Sequence, residues 1–463
     1  MPEKRQKAPR PLTGKLLLLS AAALGLWLIA GVAGGLYYRD EFARSWRTPK
    51  LAAPVVVIES DDWGLDYRPP RFVPPSKELD AQQADGIERL VRVLEAHRDA
   101  AGRKPIVSAF VVVRQADTPA IAQDPEFRYH ARPIDQTMPR TVAALQQAAQ
   151  AGVFHLAYHG RDHRDAGLWA LKVRRAVEQA RDAGRPFDPA VVTTFHPADP
   201  RGRDRSIAEY FDSRRGYLEQ LDQEEIDRKV RTGLDEFQQI FGRKPTSTVA
   251  PRYLWGPKAE AAWSRCGIRY VHGVNKQGGA VLAPEAPDVW SRPFGVRLGR
   301  GLVGIPRTAD VEATKDSRTP SLAGVLAWAD RAVATGEPIV LCTHAYNYYG
   351  PSSAFPDAMA RCLDEVLTAL ERRYPALRYL SADEVGRLAD TGKVSVAAGT
   401  SQPSEIRAAG GLQHVWLWLK GIYLRRPKAR LYATGLGALI LLVAAAGLVR
   451  LAASRARRRR KTA

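Results

Sequence analysis

The chain has 463 residues, 45% hydrophobic and 25% charged, an ordinary globular composition that excludes a disordered or fibrous chain. No segment repeats at a fixed period, which excludes a solenoid or propeller. The formal charge of +20 invites a nucleic-acid partner, but the cations crowd the flanks (Lys4, Arg5, Lys7, Arg10 and Lys15 at one end; Arg450, Arg455, Arg457 to Arg460 and Lys461 at the other). Nucleic-acid binding needs basic residues on a folded face, so no nucleic-acid partner is expected.

In chain order, residues 1–15 form a basic tail and residues 16–38 a run of 23 residues without a charge. That length is enough to cross a hydrocarbon core of roughly 30 Å, and it exceeds a signal-peptide core. Residues 39–411 form the main domain. Residues 412–430 mix Trp, Leu and Tyr with Lys420, Arg425, Arg426, Lys428 and Arg430, either an interfacial segment or a lead-in to a span. Residues 431–449 are a second apolar run, followed by a basic tail at 450–463. Because Lys and Arg mark the cytoplasmic side of spans, both termini are expected in the cytoplasm. The domain is then expected outside the inner membrane, with the membrane itself as a partner.

Within the domain, short apolar runs alternate with helical stretches. Strands are expected at 54–60, 106–113, 153–159, 247–250, 268–271, 302–305, 338–344 and 378–381, and helices at 84–100, 139–151, 220–241, 257–265, 321–334 and 357–373. Val- and Ile-rich runs without strict alternation suit strands buried on both faces. Strand-helix alternation implies a parallel α/β sheet, open or closed into a barrel. Functional groups then belong at the carboxyl ends of the strands. Asp61 and Asp62 end the first strand, His159 the third, with His163 just past it. Arg252 and Tyr253 follow the fourth, and His344 ends 338–344. The segment 164–216 reads as a polar insertion, either a lid or a solvated excursion, the second being favoured because charge runs usually face water. Cys266, Cys342 and Cys362 form no CxxC pair, so a cysteine-based metal site is not expected.

These residues suit hydrolytic chemistry. His159 and His163 share one face of a helical turn, and two His with one carboxylate make a metal set that leaves a position for water. Taken alone, HGRDH also fits two surface histidines, SDDWG an Asp-rich turn or helix cap, and His344 a core histidine. Together they supply a metal to polarise a carbonyl, a carboxylate to take a proton and an imidazole to give one.

Glu59-Ser60-Asp61-Asp62-Trp63-Gly64, His159-Gly160-Arg161-Asp162-His163, the loop and helix within 248–271, and Leu341-Cys342-Thr343-His344 resemble four motifs of the polysaccharide deacetylase (NodB-homology) family, over about 54–385. The resemblance implies a distorted (β/α) barrel of about seven parallel strands, here flanked by two transmembrane helices. It implies hydrolysis of the amide or ester of N- or O-acetylated sugars in a polysaccharide or cell-envelope glycan. It further implies Asp61 as general base and His344 as general acid. Asp62, His159 and His163 would be ligands of a divalent metal, zinc by default, and the backbone N–H of Tyr253, with Arg252 nearby, would act at the oxyanion. Three features depart from the family pattern. The family's third-motif arginine, which contacts the base, aligns with Ala250, with Arg252 two residues on as its expected substitute. Asp288 and Trp290 are the nearest candidates for the fourth motif, and the first two motifs stand further apart than usual, with the segment 164–216 following the second. A degenerate domain of the same fold, binding glycan or scaffolding a membrane assembly without turnover, is the alternative. The sequence names no protein partner.

Overall fold

The computed structural model describes residues 39–66, 78–189, 191–192, 208–211, 221–277, 292–313, 319–350, 352–396 and 404–425, with isolated positions between Gly25 and Leu36. In chain order these give α1 (Arg39–Arg47), β1 (Val55–Trp63), α2 (Leu79–Glu95), β2 (Val107–Val111), β3 (Arg114–Ala116), α3 (Thr118–Gln123) and β4 (Ala131–Pro133). Then come α4 (Pro139–Gln150), β5 (Phe154–Tyr158), α5 (Ala166–Asp182), α6 (Gln223–Phe241), β6 (Ser247–Thr248), α7 (Pro257–Arg265), β7 (Tyr270–His272), β8 (Val296–Arg297), β9 (Val303–Ile305) and β10 (Ala309–Asp310). The remainder are α8 (Leu322–Ala334), β11 (Ile339–His344), α9 (Ala354–Arg373), β12 (Arg378–Tyr379), α10 (Ala382–Thr391), β13 (Lys393–Val396), β14 (Ser404–Arg407) and α11 (Gly411–Arg425).

Ten strands form one sheet in the order β10-β11-β1-β2-β5-β6-β7-β9-β8, with β12 beside β1. All pairs are parallel except β8 against β9. This α/β sheet has more strands than the seven expected, and one runs antiparallel. It curls on itself: Val55 and Val57 of β1 share an apolar cluster with Val303 and Ile305 of β9 and Tyr270 of β7, strands that are not its sheet neighbours. Val385 and Leu388 of α10 fill that interior. Val56 and Ile58 point the other way, into the larger cluster under α2, α4, α7 and α9. Alternation of period two along β1 therefore sends Val55, Val57, Glu59 and Asp61 inward. The curl buries two carboxylates that an open, solvated sheet would leave in water.

The structure corrects the expectation of two flanking transmembrane helices, and with it the two-span placement in an inner membrane with both termini cytoplasmic. Among the described residues no helix is long and apolar enough to cross a membrane. α11 has 15 residues, short of the roughly 20 a span needs, and α1 carries five charges in nine residues. The expected spans lie outside the described residues, 431–449 wholly and 16–38 but for isolated positions, as do both basic tails.

Residues Thr48–Gly410 make one compact unit, and α1 with α11 belong to a second. Within the second, Trp46 meets His414 and Trp418 edge-on, with ring centroids 5.0 and 5.1 Å apart, and His414 Nε2 donates to the Trp46 carbonyl.

The stretch after His163 is not a solvated excursion throughout. Asp165 caps α5 by accepting from the Leu168 N–H at 2.9 Å. α5 then buries Leu168, Trp169, Val173 and Ala176, and a satellite core joins Trp169, Val173 and Ala176 to Ile121 and Val192. An apolar stripe at helical spacing inside a charged segment produces this packing.

Candidate metal centre and acid-base pair

β1 does not run straight into its carboxyl end. Its register against β2 shifts between Ser60 and Trp63, and Asp62 has φ 69°. Simple alternation would turn Asp62 away from the interior that Asp61 faces. The bulge and the left-handed residue re-aim it to the rim instead. Gly64, with φ 80°, completes the turn, and a Cβ there would lie 2.6 Å from the Val112 carbonyl oxygen. Gly64→Ala is expected to cost about 1–3 kcal/mol, read as a lower urea midpoint with an unchanged slope.

Asp62, His159 and His163 converge, their ligand atoms lying within 4.8 Å of one another. Asp62 Oδ1 is 3.0 Å from His159 Nε2 and 3.5 Å from His163 Nε2. His159 Nδ1 lies 3.0 Å from the Val249 carbonyl, so Nδ1 carries the hydrogen. Burial would lower His159, but Asp62 and Asp61 raise it above its ordinary value, so Nε2 shares a proton with the Asp62 carboxylate when no ion stands between them. Two acceptors that close require a cation between them, a proton or a metal, and a ring held at its second nitrogen by a carbonyl is the usual form of a metal-binding His. The residues fit a divalent ion. Burial pushes His163 down to about 3, against the pull of Asp62, so its imidazole is neutral as a ligand must be. Despite the cost of burial, the hydrogen bond from His159 and the nearby imidazoles hold Asp62 well below the usual carboxylate range.

Asp61 is gripped from the opposite side. Arg307 Nη1 donates to Oδ2 and Nη2 to Oδ1, each at 2.6 Å, and its Nε donates to Glu59 Oε2, also at 2.6 Å. Glu59 Oε1 meets His272 Nδ1 at 2.5 Å. All four side chains are buried. Burial alone would raise Asp61 and Glu59, yet Arg307, and for Glu59 also His272, bring both below their ordinary values. Arg307 is itself fixed through its backbone, its N–H donating to Asn275 Oδ1 and its carbonyl accepting from Asn275 Nδ2.

His344 pairs in register with Asp61 across β11 and β1, and its Nε2 lies 3.9 Å from Asp61 Oδ2. Its Nδ1 is 2.5 Å from Glu312 Oε1, and Glu312 Oε2 accepts from Tyr346 Oη and Asn347 Nδ2. Burial would lower His344, but Glu312 pushes it up to about 9. A second cluster, Glu312, Cys342 and His344, is poorly suited to a cation. Arg307 Nη1 and Lys276 Nζ lie 3.2 and 3.8 Å from the Cys342 sulfur.

The turn Pro251–Tyr253 sets Arg252 and Tyr253 at φ 55° and 58°. The Tyr253 N–H, expected at an oxyanion, donates to the Ala250 carbonyl at 2.8 Å, and its hydroxyl accepts from Arg307 at 2.6 Å. The guanidinium on Asp61 is that of Arg307 rather than Arg252. Asp288 and Trp290 lie outside the described residues. Sequence reasoning missed Arg307, Glu312, Glu59 and His272. Arg307 and Glu312 each follow a strand by two residues, β9 and β10, so the strand-end rule that found Asp61 and His344 reaches them once β10 is recognised.

A scan against protein-family models finds no match, and a search of curated proteins finds none. Among solved structures, the chain is similar to one from Mycobacterium smegmatis described as a polysaccharide deacetylase, at 13% identity and TM-score 0.41, covering 74% of this chain and 94% of that one. It is similar to a family 4 carbohydrate esterase from Streptomyces lividans at 10% identity and TM-score 0.29, covering 71% and 92%. The allantoinase Puue gives 11% identity and TM-score 0.41, covering 72% and 90%. Likenesses this distant assign no activity, so the functional reading rests on the side chains.

Proposed function

We propose that the chain is a metal-dependent hydrolase that removes acetyl groups from N- or O-acetylated sugars of a glycan. The observation that carries the reading is the meeting, on one rim, of a triad that fits a divalent cation with two groups of opposed proton affinity. Asp61 is kept charged by Arg307, and His344 is kept protonated by Glu312. Such a separation of neighbouring groups is how a site runs acid and base chemistry at neutral pH.

Asp62, His159 and His163 would hold the ion, which supplies Lewis-acid polarisation of an acyl oxygen and acidification of water. Asp61 takes the proton of the attacking water at a carboxylate oxygen. His344 gives the proton on Nε2 to the departing amine or alkoxide, and Glu312 on Nδ1 holds the ring and stabilises its positive charge. Tyr346 stacks on His344 with centroids 5.1 Å apart and rings inclined by 21°, fixing its plane. A second reading, a glycan-binding domain without turnover, is favoured by one observation: Arg307 engages both oxygens of Asp61.

Acetate release from N-acetyl chitooligosaccharides and acetylated xylan, by the full chain loaded with zinc or cobalt, separates the two. The hydrolase reading expects release that falls at least ~100-fold in Asp61→Asn and disappears in His159→Ala. Full activity in either variant sinks it, and metal binding with no release supports the second reading. Glu312→Gln removes the charge that holds the His344 proton. The alkaline limb of the rate profile is then expected to move from near 9 toward the ordinary histidine value, and an unmoved limb removes His344 as the acid.

A further inference from the structure

Nothing in the resemblance accounts for the segment after α5, yet its residues Ala208 to Phe211 are buried in the main core. Glu209 there is 0% exposed. Its carboxylate accepts the Arg161 N–H at 2.9 and 3.0 Å and the His163 N–H at 3.2 Å, the middle and last residues of the loop that carries both histidines. Gly160 records the same contact from the other side: its φ is +98°, and a Cβ there would lie 2.2 Å from Glu209 Oε2. His163 has φ 52°, a backbone state that a non-glycine residue holds only where its surroundings over-determine it. Lys229 of α6 and Arg161 face the neighbouring buried Asp162 at 3.8 and 3.7 Å.

We infer that Glu209 is the positioning residue of the metal-binding loop, making residues 208–211 a working part of the site. This rests on the reading of Asp62, His159 and His163 as metal ligands. His159 is set by the Val249 carbonyl on its ring. His163, whose Nδ1 has no hydrogen-bond partner among the described residues, is set through its backbone by Glu209. Groups that orient ligands in this way change metal affinity about 10–100-fold when altered.

The test is zinc affinity of the full chain by chelator competition, with the visible spectrum of the cobalt form as a second readout. Glu209→Gln turns an amide NH2 toward donors that need an acceptor, and Glu209→Asp withdraws the carboxylate by one methylene. Both are expected to raise the zinc Kd about 10–100-fold and to shift the cobalt bands, with the circular dichroism spectrum retained. Should the Gln variant fail to fold, the Asp variant decides alone. An unchanged Kd and cobalt spectrum overturn the inference, including when only the melting temperature in EDTA falls, because that result marks a purely structural role. His163→Ala separates the two levels. If it binds zinc as tightly as wild type, or if wild type binds none, the metal reading fails and the inference with it. If only the Glu209 variants are unaffected, the inference alone fails.

Discussion

Arg307→Leu is expected to lower the free energy of unfolding at pH 7 by about 3–5 kcal/mol, the cost of leaving a buried charge without its partner. The arginine is bound to two carboxylates, Glu59 and Asp61, inside the curled sheet. Leucine fills part of the space and answers neither. The deficit has a defined pH dependence. With Arg307 present, both folded-state carboxyls lie below their ordinary values, so their contribution is present above the unfolded pKa near 4 and is lost as pH falls through the depressed values. Without the arginine, burial raises both groups, and the folded variant takes up protons readily. The gap between variant and wild type is therefore expected to narrow as pH drops from 7 toward 4. Urea melts across that range measure it. A loss under about 1 kcal/mol, or a gap constant with pH, contradicts the buried pairing.

Zinc is expected to stabilise the wild-type fold by about 4 kcal/mol at a thousandfold excess over its Kd. The dependence on free zinc should be logarithmic and the effect fully reversed by EDTA. The triad joins strands far apart in sequence: Asp62 ends β1, and His159 and His163 follow β5. An ion held by all three penalises unfolding of the whole sheet rather than of one loop. Neither His159→Ala nor Asp62→Asn should respond to zinc or EDTA, each having lost a ligand. Thermal melts against free zinc test this, and a melting point that rises equally in wild type and His159→Ala assigns the binding elsewhere.

Much of the central architecture was legible because each strand carries its own signal. Val55–Ile58 and Ile339–Leu341 are apolar on both faces, as a strand covered on both sides must be, and they fall within the expected runs. The helices Pro139–Gln150, Pro257–Arg265 and Leu322–Ala334 match their apolar spacing closely. β8 and β10 were not legible, since each has only two residues and is defined by its neighbour rather than by its own pattern. α10 was missed although Ser381 and Glu384 form a capping box, because it follows a strand so directly that no loop announces it. At the site, residues that end strong strands were readable. Their partners were not, because an ion pair such as Asp61 with Arg307 spans 246 positions and leaves no local trace. The bulge at Asp62 was also hidden, since alternation is the default for any extended segment.

Asp62, His163, Arg252 and Tyr253 all sit at positive φ, four of the six non-glycine residues that do so among the described residues, and all border one rim. Each left-handed residue costs of order 1–3 kcal/mol that glycine would not. Heat tolerance and chemistry therefore ask for different residues at Asp62, a ligand that is only partly buried. At His163 and Tyr253 glycine would relieve the backbone but open a cavity in packed surroundings. Lineages that abandon the chemistry should show it first as glycine at 62, well before the sheet beneath changes.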